Sequence, residues 1–293
     1  MNYIHLQNHV PNSINDLDQQ ELDRIRNEFV AFGSGSLDLD MSYPDGIAVI
    51  TINNYVKRNS FSGKMIAQFD SILTQLESWS TGKAVILRGS NGFFSSGGDL
   101  TTVSALLGDP DGGRRMNLLM QSNFLRLQRL PLITVALIEG KAIGGGAETC
   151  TACDWRIMTP SAEIGFVHVR MGITAGWGGG SRLVNIVGPG KALELFTSAK
   201  RLSSKEALSI GLTNHVLDCD SDASSEQVLS KAKEWLSQFT WGDHEPIQAC
   251  KKIISAAQFT SLDRALSTEA VCFSQVWGKP SHVKAMSSNV KHK

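Results

Sequence analysis

Two hydrophobic rhythms alternate along the chain. Short apolar runs rich in β-branched residues, Gly46-Ile-Ala-Val-Ile-Thr-Ile-Asn53, Ala84-Val-Ile-Leu-Arg88 and Leu132-Ile-Thr-Val-Ala-Leu-Ile138, have the length and composition of buried strands. Between the first two, Met65, Ile66, Phe69, Ile72, Leu73, Leu76 and Trp79 recur at helical spacing on one face from about Ser62 onward. Met116, Leu119, Met120, Phe124, Leu127 and Leu130 mark a second amphipathic helix, which stops before Pro131 because proline disfavours helix in the residue ahead of it. Leu100 to Leu107 reads as a short helix, and the break after it, Gly108-Asp-Pro-Asp-Gly-Gly113, reads as a mobile flap. Trp155–Met158 and Ala162–Val167 are two further short strands. From there the rhythm is helical, over Lys191–Ser198, Ser203–Ile210, Ser225–Phe239, Pro246–Ala257 and Leu262–Trp277.

These patterns predict an α/β fold. Residues 1–36 form a polar N-terminal extension with one helix over Asp18 to Phe32, residues 37–202 the α/β body, and residues 203–293 a helical region.

Glycine punctuates the ends of two strands. Ile138 leads through Lys141-Ala-Ile143 into Gly144, Gly145 and Gly146, and the small side chains that follow predict a short helix bearing Glu148. The first N–H groups of a helix have no internal partner and lie at the positive end of its dipole, which suits an anion or a developing oxyanion. The strand ending at Arg88 runs into a loop that closes on Gly97-Gly98-Asp99. A tight turn would use the same glycines. Two such turns, each aiming one amide at the same oxygen, would make an oxyanion hole from main chain. A third cluster, Gly172 to Gly180, is interrupted by Trp177, which serves equally as a core plug or a pocket wall.

Charge narrows the class of ligand. Lys plus Arg and Asp plus Glu number 28 each, so no basic excess favours nucleic acid or an anionic membrane surface. Five cysteines are too few and odd in number for a disulfide framework, and Cys150 and Cys153, without a second pair, read as buried thiols. Asp16, Asp18, Glu21 and Asp23 argue against a transit peptide, and no apolar run reaches membrane-spanning length. The expectation is a reduced, soluble, intracellular protein. No metal or cofactor motif stands out.

Four segments in order, Phe94-Ser-Ser-Gly-Gly-Asp-Leu100, Ile143-Gly-Gly-Gly-Ala-Glu148, Cys153-Asp-Trp-Arg156 and Leu202-Ser-Ser-Lys-Glu-Ala-Leu-Ser-Ile-Gly-Leu-Thr-Asn-His-Val216, resemble the crotonase (enoyl-CoA hydratase/isomerase) superfamily. The resemblance runs from about Asp45 to Val216. It implies a spiral of ββα units, a helical C-terminal region over 203–293 that serves assembly and covers the active site, self-association as a homotrimer or dimer of trimers, and a coenzyme A thioester as substrate. It also implies that the N–H groups of Gly98 and Gly145 hold the thioester oxygen. Ser96, Gly97 and Gly144 would line the substrate beside them, Trp177 would form an apolar wall, and Lys57 would contact a phosphate of coenzyme A, although on residues alone Lys57-Arg58 is a solvated pair.

Within the superfamily, Gly35-Ser-Leu-Asp38, Asn59-Ser-Phe-Ser-Gly63, Phe166-Val-His168, Met171-Gly172, Trp177-Gly-Gly179 and Val276-Trp-Gly278 resemble a branch that removes carbon dioxide from ethylmalonyl-CoA and, less well, methylmalonyl-CoA. Butyryl-CoA or propionyl-CoA would be the product, and the setting a cytosolic metabolite repair. Hydratases of the superfamily carry two glutamates. The first corresponds to Glu148, whereas His168 stands at the second when Gly172 is the anchor. Adding water needs both a base and a proton source, so the exchange speaks against hydration. Hydration or isomerisation of unsaturated acyl-CoAs, and non-catalytic acyl-CoA binding, are the alternatives. In a decarboxylase Glu148 is the first candidate to protonate the α-carbon and His168 the second; a helix-anchoring glutamate and a satisfied core histidine are the structural readings of the same residues.

Overall fold

The computed structural model describes residues 18–41, 44–220 and 222–287. The part of the expected N-terminal extension before residue 18 lies outside them. The strands are β1 (Ser36–Asp40), β2 (Ile47–Asn53), β3 (Ala84–Gly89), β4 (Ile133–Ile138), β5 (Lys141–Ile143), β6 (Trp155–Met158), β7 (Glu163–Gly165), β8 (Arg201–Ser203) and β9 (His215–Val216). The first half of the chain contributes helices α1 (Gln19–Phe29), α2 (Gly63–Glu77), α3 (Leu100–Leu106), α4 (Gly112–Arg129) and α5 (Gly145–Cys150). The second contributes α6 (Gly179–Val187), α7 (Pro189–Ser198), α8 (Ser204–Ser209), α9 (Ser225–Thr240), α10 (His244–Phe259), α11 (Leu262–Val276) and α12 (Pro280–Ser287).

Six strands form one sheet in the order β1-β2-β3-β4-β6-β9, parallel except for the antiparallel edge strand β1. Its central strands read as unbroken apolar runs because both faces are covered. Ala48, Ile50 and Ile52, with Val85, Leu87, Ala136 and Ile138, join the core built with α2 and α4, while Ile47, Val49, Ala84, Ile86, Val135 and Leu137 turn to the other face. There Val228, Leu229, Ala232 and Leu236 of α9 cover them. Alternation of side chains along each strand thus feeds two cores from one run.

The predicted helices start where their caps allow. Ser62 Oγ accepts from Met65 N at the head of α2, and Asp99 accepts from Thr101 N at the head of α3. The segment expected as a mobile flap is held instead: Arg115 pairs with Asp109 at 2.6 Å and with Glu28 of α1 at 3.0 Å, and Arg114 bridges Asp111 and Glu21. Four strands that no apolar run announces, β1, β5, β8 and β9, also form. Two of them matter for the site, because β5, β7 and β8 make a small second sheet beneath the glycine turns, with β5 parallel to β7 and β8 antiparallel.

Candidate active site

Both glycine turns end at one place because the backbone zips them together. Ser95 N donates to Lys141 O at 3.1 Å and Ile143 N to Ser95 O at 2.9 Å, so the loop after β3 runs alongside β5. On its other side Phe61 N donates to Gly97 O and Asp99 N to Phe61 O, at 2.7 and 2.9 Å. The N–H of Gly98 is therefore not spent on its neighbours, and neither is that of Gly145, the first residue of α5. Among the described residues neither of these two N–H groups has an acceptor. Sterics admit only glycine at the contact: Gly97 has φ +96°, and a Cβ on it would sit 2.8 Å from Gly145 N.

A single indole stands against both turns. Trp177 is buried, with ring atoms 2.5 Å from where a Cβ on Gly145 would lie and 3.6 Å from the equivalent point on Gly98. Phe61 and Phe124 fix the ring from two sides, at centroid distances of 5.9 and 6.2 Å. The sequence left Trp177 open between plug and wall; it packs as a core plug, with its ring against both glycine turns.

Glu148 and His168, twenty residues apart in the chain, meet in the interior. His168 Nε2 lies 2.8 Å from Glu148 Oε1, and both side chains are buried. Gly176 N approaches the same oxygen at 3.4 Å, while Trp177 N and Gly179 N each donate to Oε2 at 2.9 Å. His168 Nδ1 is buried without a partner among the described residues. Arg182, on α6, completes this knot. Its guanidinium donates to Thr151 Oγ1, Glu148 O and Trp177 O, and it lies 5.4 Å from the Phe124 ring centre. Burial pulls its pKa down to about 10, against the opposing pull of the Glu148 charge. A small cavity of about 210 Å³ opens beside the knot, where Gln121 of α4, Thr174, Ala175, Ser181 and Phe196 face one another, and Phe196 lies 5.7 Å from the His168 ring.

Lys57 reaches the site from the 3₁₀ turn Tyr55–Lys57, and its ammonium is already engaged. It donates to Asp99 at 2.9 Å and to Thr101 Oγ1 at 3.0 Å, so a phosphate placed here would share it with a buried carboxylate. Ser96 N donates to Arg58 O and Gly97 N to Ser95 Oγ, while Gly144 N donates to Gly165 O; these residues frame the amides of Gly98 and Gly145. Asn59, at φ +52°, holds the whole approach in place. It accepts from Asn54 N and Ser90 Oγ and donates to Ser90 O and Phe93 O, which uses every hydrogen bond its amide can make.

Cys153-Asp-Trp-Arg156 proves structural. Arg156 is buried, with its pKa lowered by that burial, and donates to Leu212 O and Cys153 O. Asp154 accepts from Thr134 and from the buried Lys251 of α10. Burial pushes Cys153 up to about 12 and Cys150 well above the usual thiol range, as expected of packed thiols. Asn59, Phe61, Asp99, Phe124 and Arg182 escaped the reading of single residues. Asp99 and Arg182 left a faint signal, one directly after a glycine pair and the other five residues beyond Trp177. Among the described residues no group of three or more His, Cys, Asp and Glu side chains could hold a metal ion.

The family model for enoyl-CoA hydratase/isomerase matches residues 42–291. The chain is 43% identical to ethylmalonyl-CoA decarboxylase of Xenopus laevis over 92% of its own length and 88% of that protein. It is 44% identical to the Danio rerio protein of the same name, with the same coverage, and 42% identical to the Homo sapiens one, over 92% of this chain and 86% of that. Solved structures similar to the whole fold include an enoyl-CoA hydratase from Thermoplasma volcanium, at 26% identity and TM-score 0.76, covering 88% of this chain and 98% of that one. An enoyl-CoA hydratase from Bacillus anthracis superposes with TM-score 0.77 at 26% identity, over 86% of this chain and 94% of the other.

Proposed function

This chain belongs to the enoyl-CoA hydratase/isomerase family, and on that premise we propose that it is an acyl-CoA decarboxylase, converting ethylmalonyl-CoA to butyryl-CoA and, less well, methylmalonyl-CoA to propionyl-CoA. The observation that carries the reading is the pair of unpartnered amides, Gly98 N–H and Gly145 N–H, on two turns locked edge to edge. When the bond from the α-carbon to the carboxylate breaks, its electron pair moves into the thioester carbonyl and gives an enolate. Two preorganised donors hold the charge that develops there, and losing one such donor typically costs about 3 kcal/mol of transition-state stabilisation. Trp177, Phe61 and Phe124 supply apolar surface beside the reacting carbon, where negative charge disappears as carbon dioxide leaves. The α-carbon then takes a proton from the Glu148–His168 pair. The thioester is itself the electron sink, so this chemistry calls for no added cofactor.

Hydration of an unsaturated acyl-CoA fits the site less well. It needs two carboxylates about the water, and His168 stands beside Glu148 in this chain. The reading extends to a cytosolic repair role, in which a misplaced carboxyl group is removed from an acyl-CoA. It extends also to self-association as a homotrimer or dimer of trimers through the helical region after residue 203. What supports assembly is the apolar face of α10 and α11, where Ile254, Leu262, Leu266, Phe273 and Trp277 are between 54% and 72% exposed. Among the described residues no helix is long and apolar enough to cross a membrane.

Incubation of the purified protein with ethylmalonyl-CoA and, separately, with crotonyl-CoA tests the reaction by mass spectrometry of the acyl-CoA products. Butyryl-CoA is expected from the first and little change in the second. Hydration of crotonyl-CoA without release of carbon dioxide from ethylmalonyl-CoA would reverse the assignment.

A further inference from the structure

Glu148 has no acceptor position left for a substrate. A carboxylate offers two oxygens with about four lone-pair sites. Three backbone N–H groups donate to them, Gly176 N at 3.4 Å on Oε1 and Trp177 N and Gly179 N, both at 2.9 Å, on Oε2, and His168 Nε2 lies 2.8 Å from Oε1, the fourth donor when it carries a hydrogen. A protonated Glu148 could aim its O–H without stranding a buried N–H only at His168 Nε2, and so not at a substrate. The same four bonds have a mechanical consequence. Glu148 sits on α5, whose first residue Gly145 carries one of the two free amides, and its carboxylate grips the loop that sets Trp177 against Gly145 and Gly98. Arg182 doubles the grip by donating to Glu148 O and Trp177 O at 3.3 and 2.8 Å.

His168 has the opposite character. Its Nε2 is committed to Glu148, and its Nδ1 is buried without a partner. An imidazole oriented through one nitrogen and free at the other is arranged to pass a proton. We propose that Glu148 is a positioning residue, a clamp that fixes Trp177 against the oxyanion amides and orients His168, and that His168 delivers the proton to the enolate. In that step the ring is an imidazolium with a hydrogen on each nitrogen; the Nδ1 hydrogen moves to the α-carbon as a proton, leaving a neutral ring whose Nε2–H still donates to Glu148. The enolate's electron pair forms the new C–H bond, the thioester carbonyl is restored, and the ring regains its proton from solvent. This inference rests on the decarboxylase reading.

Length separates the two roles of Glu148. E148Q keeps the reach and, with its oxygen toward Trp177 N and Gly179 N and its NH2 toward His168 Nε2, the half of the clamp that holds the Trp177 loop, but has no acidic proton; E148D keeps an acidic proton but is one methylene short. A clamp therefore predicts that E148Q retains more kcat than E148D, and that its loss stays well short of the roughly 10²–10⁴-fold expected when a general acid is removed. The α-carbon offers a second readout. Wild-type turnover of ethylmalonyl-CoA in heavy water should place one deuterium there in a single configuration, and E148Q should keep that configuration. H168N, with the clamp carboxylate intact, should lower kcat and yield butyryl-CoA deuterated in both configurations. A cooperative thermal melt is required of each variant, and should E148Q not give one, H168N decides. The proposal is overturned if a folded E148Q loses activity on the general-acid scale while E148D does not, or if H168N keeps wild-type kcat and a single configuration. Wild-type protein that forms no butyryl-CoA would instead sink the reaction assigned above.

Discussion

Gly98 and Gly145 offer the same chemical group, yet a methyl group on each would meet different surroundings. On Gly145 a Cβ would lie 2.5 Å from the Trp177 ring, which Phe61 and Phe124 prevent from moving aside. On Gly98 the nearest atoms are side-chain carbons of Val103 and Trp177 at 3.5 and 3.6 Å, ordinary contact distances. G145A should thus destabilise the fold by about 1–3 kcal/mol, the usual cost of overpacking, and displace the indole from the amides. G98A should fold with a melting temperature near wild type. Chemical denaturation of the two variants side by side tests this, and equal stability would mean that Trp177 is not the rigid wall described here. At this scale the chain announced its donors and its two titratable groups but not their partners. Glu148 and His168 stood out by residue type and position, whereas the three backbone donors on Glu148, its contact with His168 and the unpartnered Nδ1 follow from where segments distant in the chain cross.

At the level of elements, the strands β2, β3 and β4 and the long helices α2, α4, α9, α10 and α11 were legible because each carries its own apolar period. The three-residue strands β5 and β8 were not, since so short a piece has no period and forms only when a neighbour supplies the ladder. The same limit hid the junction between α9 and the main sheet. There Arg88 of β3 pairs with Glu139, just past β4, at 3.1 Å, and Ser225 Oγ of α9 donates to Glu139 at 2.7 Å. Burial raises the Glu139 carboxyl above its ordinary 4.5, against the lowering pulls of Ser225 and Arg88. The folded chain therefore holds this proton more tightly than the unfolded chain does. Its contribution to stability is complete below pH 4.5 and falls as pH rises through the folded-state value. E139Q should flatten that limb of the stability profile, as urea melts at a series of pH values from 4.5 to neutrality would reveal. An unchanged slope would mean that Glu139 is not the group responsible.

For the molecule as a whole, the hairpin of α10 and α11 makes the strongest demand for a partner. Pro246, Ile253, Leu266, Phe273 and Val276 line an apolar groove of about 440 Å³ between the two helices, apart from the glycine turns. Exposed aromatic and aliphatic surface of this kind raises the free energy of an isolated chain in water. Sedimentation velocity should find the wild-type chain as a trimer or a multiple of one, and F273D shifted to smaller species. A wild-type chain that sediments as a monomer at micromolar concentration would refute the assembly reading.

What the sequence determined by itself is whatever depends on local period and residue type: the buried parallel strands, the amphipathic helices, the glycine turns that free backbone amides, and through its motifs the chemistry of acyl-CoA thioesters. The tertiary structure alone decided which groups are still free to react. Lys57 brings an ammonium group, but only the fold sets it against Asp99; Glu148 brings two carboxyl oxygens, but only the crossing of α5 with the Trp177 loop supplies their donors. Availability depends on contacts between residues distant in the chain, and no local pattern of side chains encodes those.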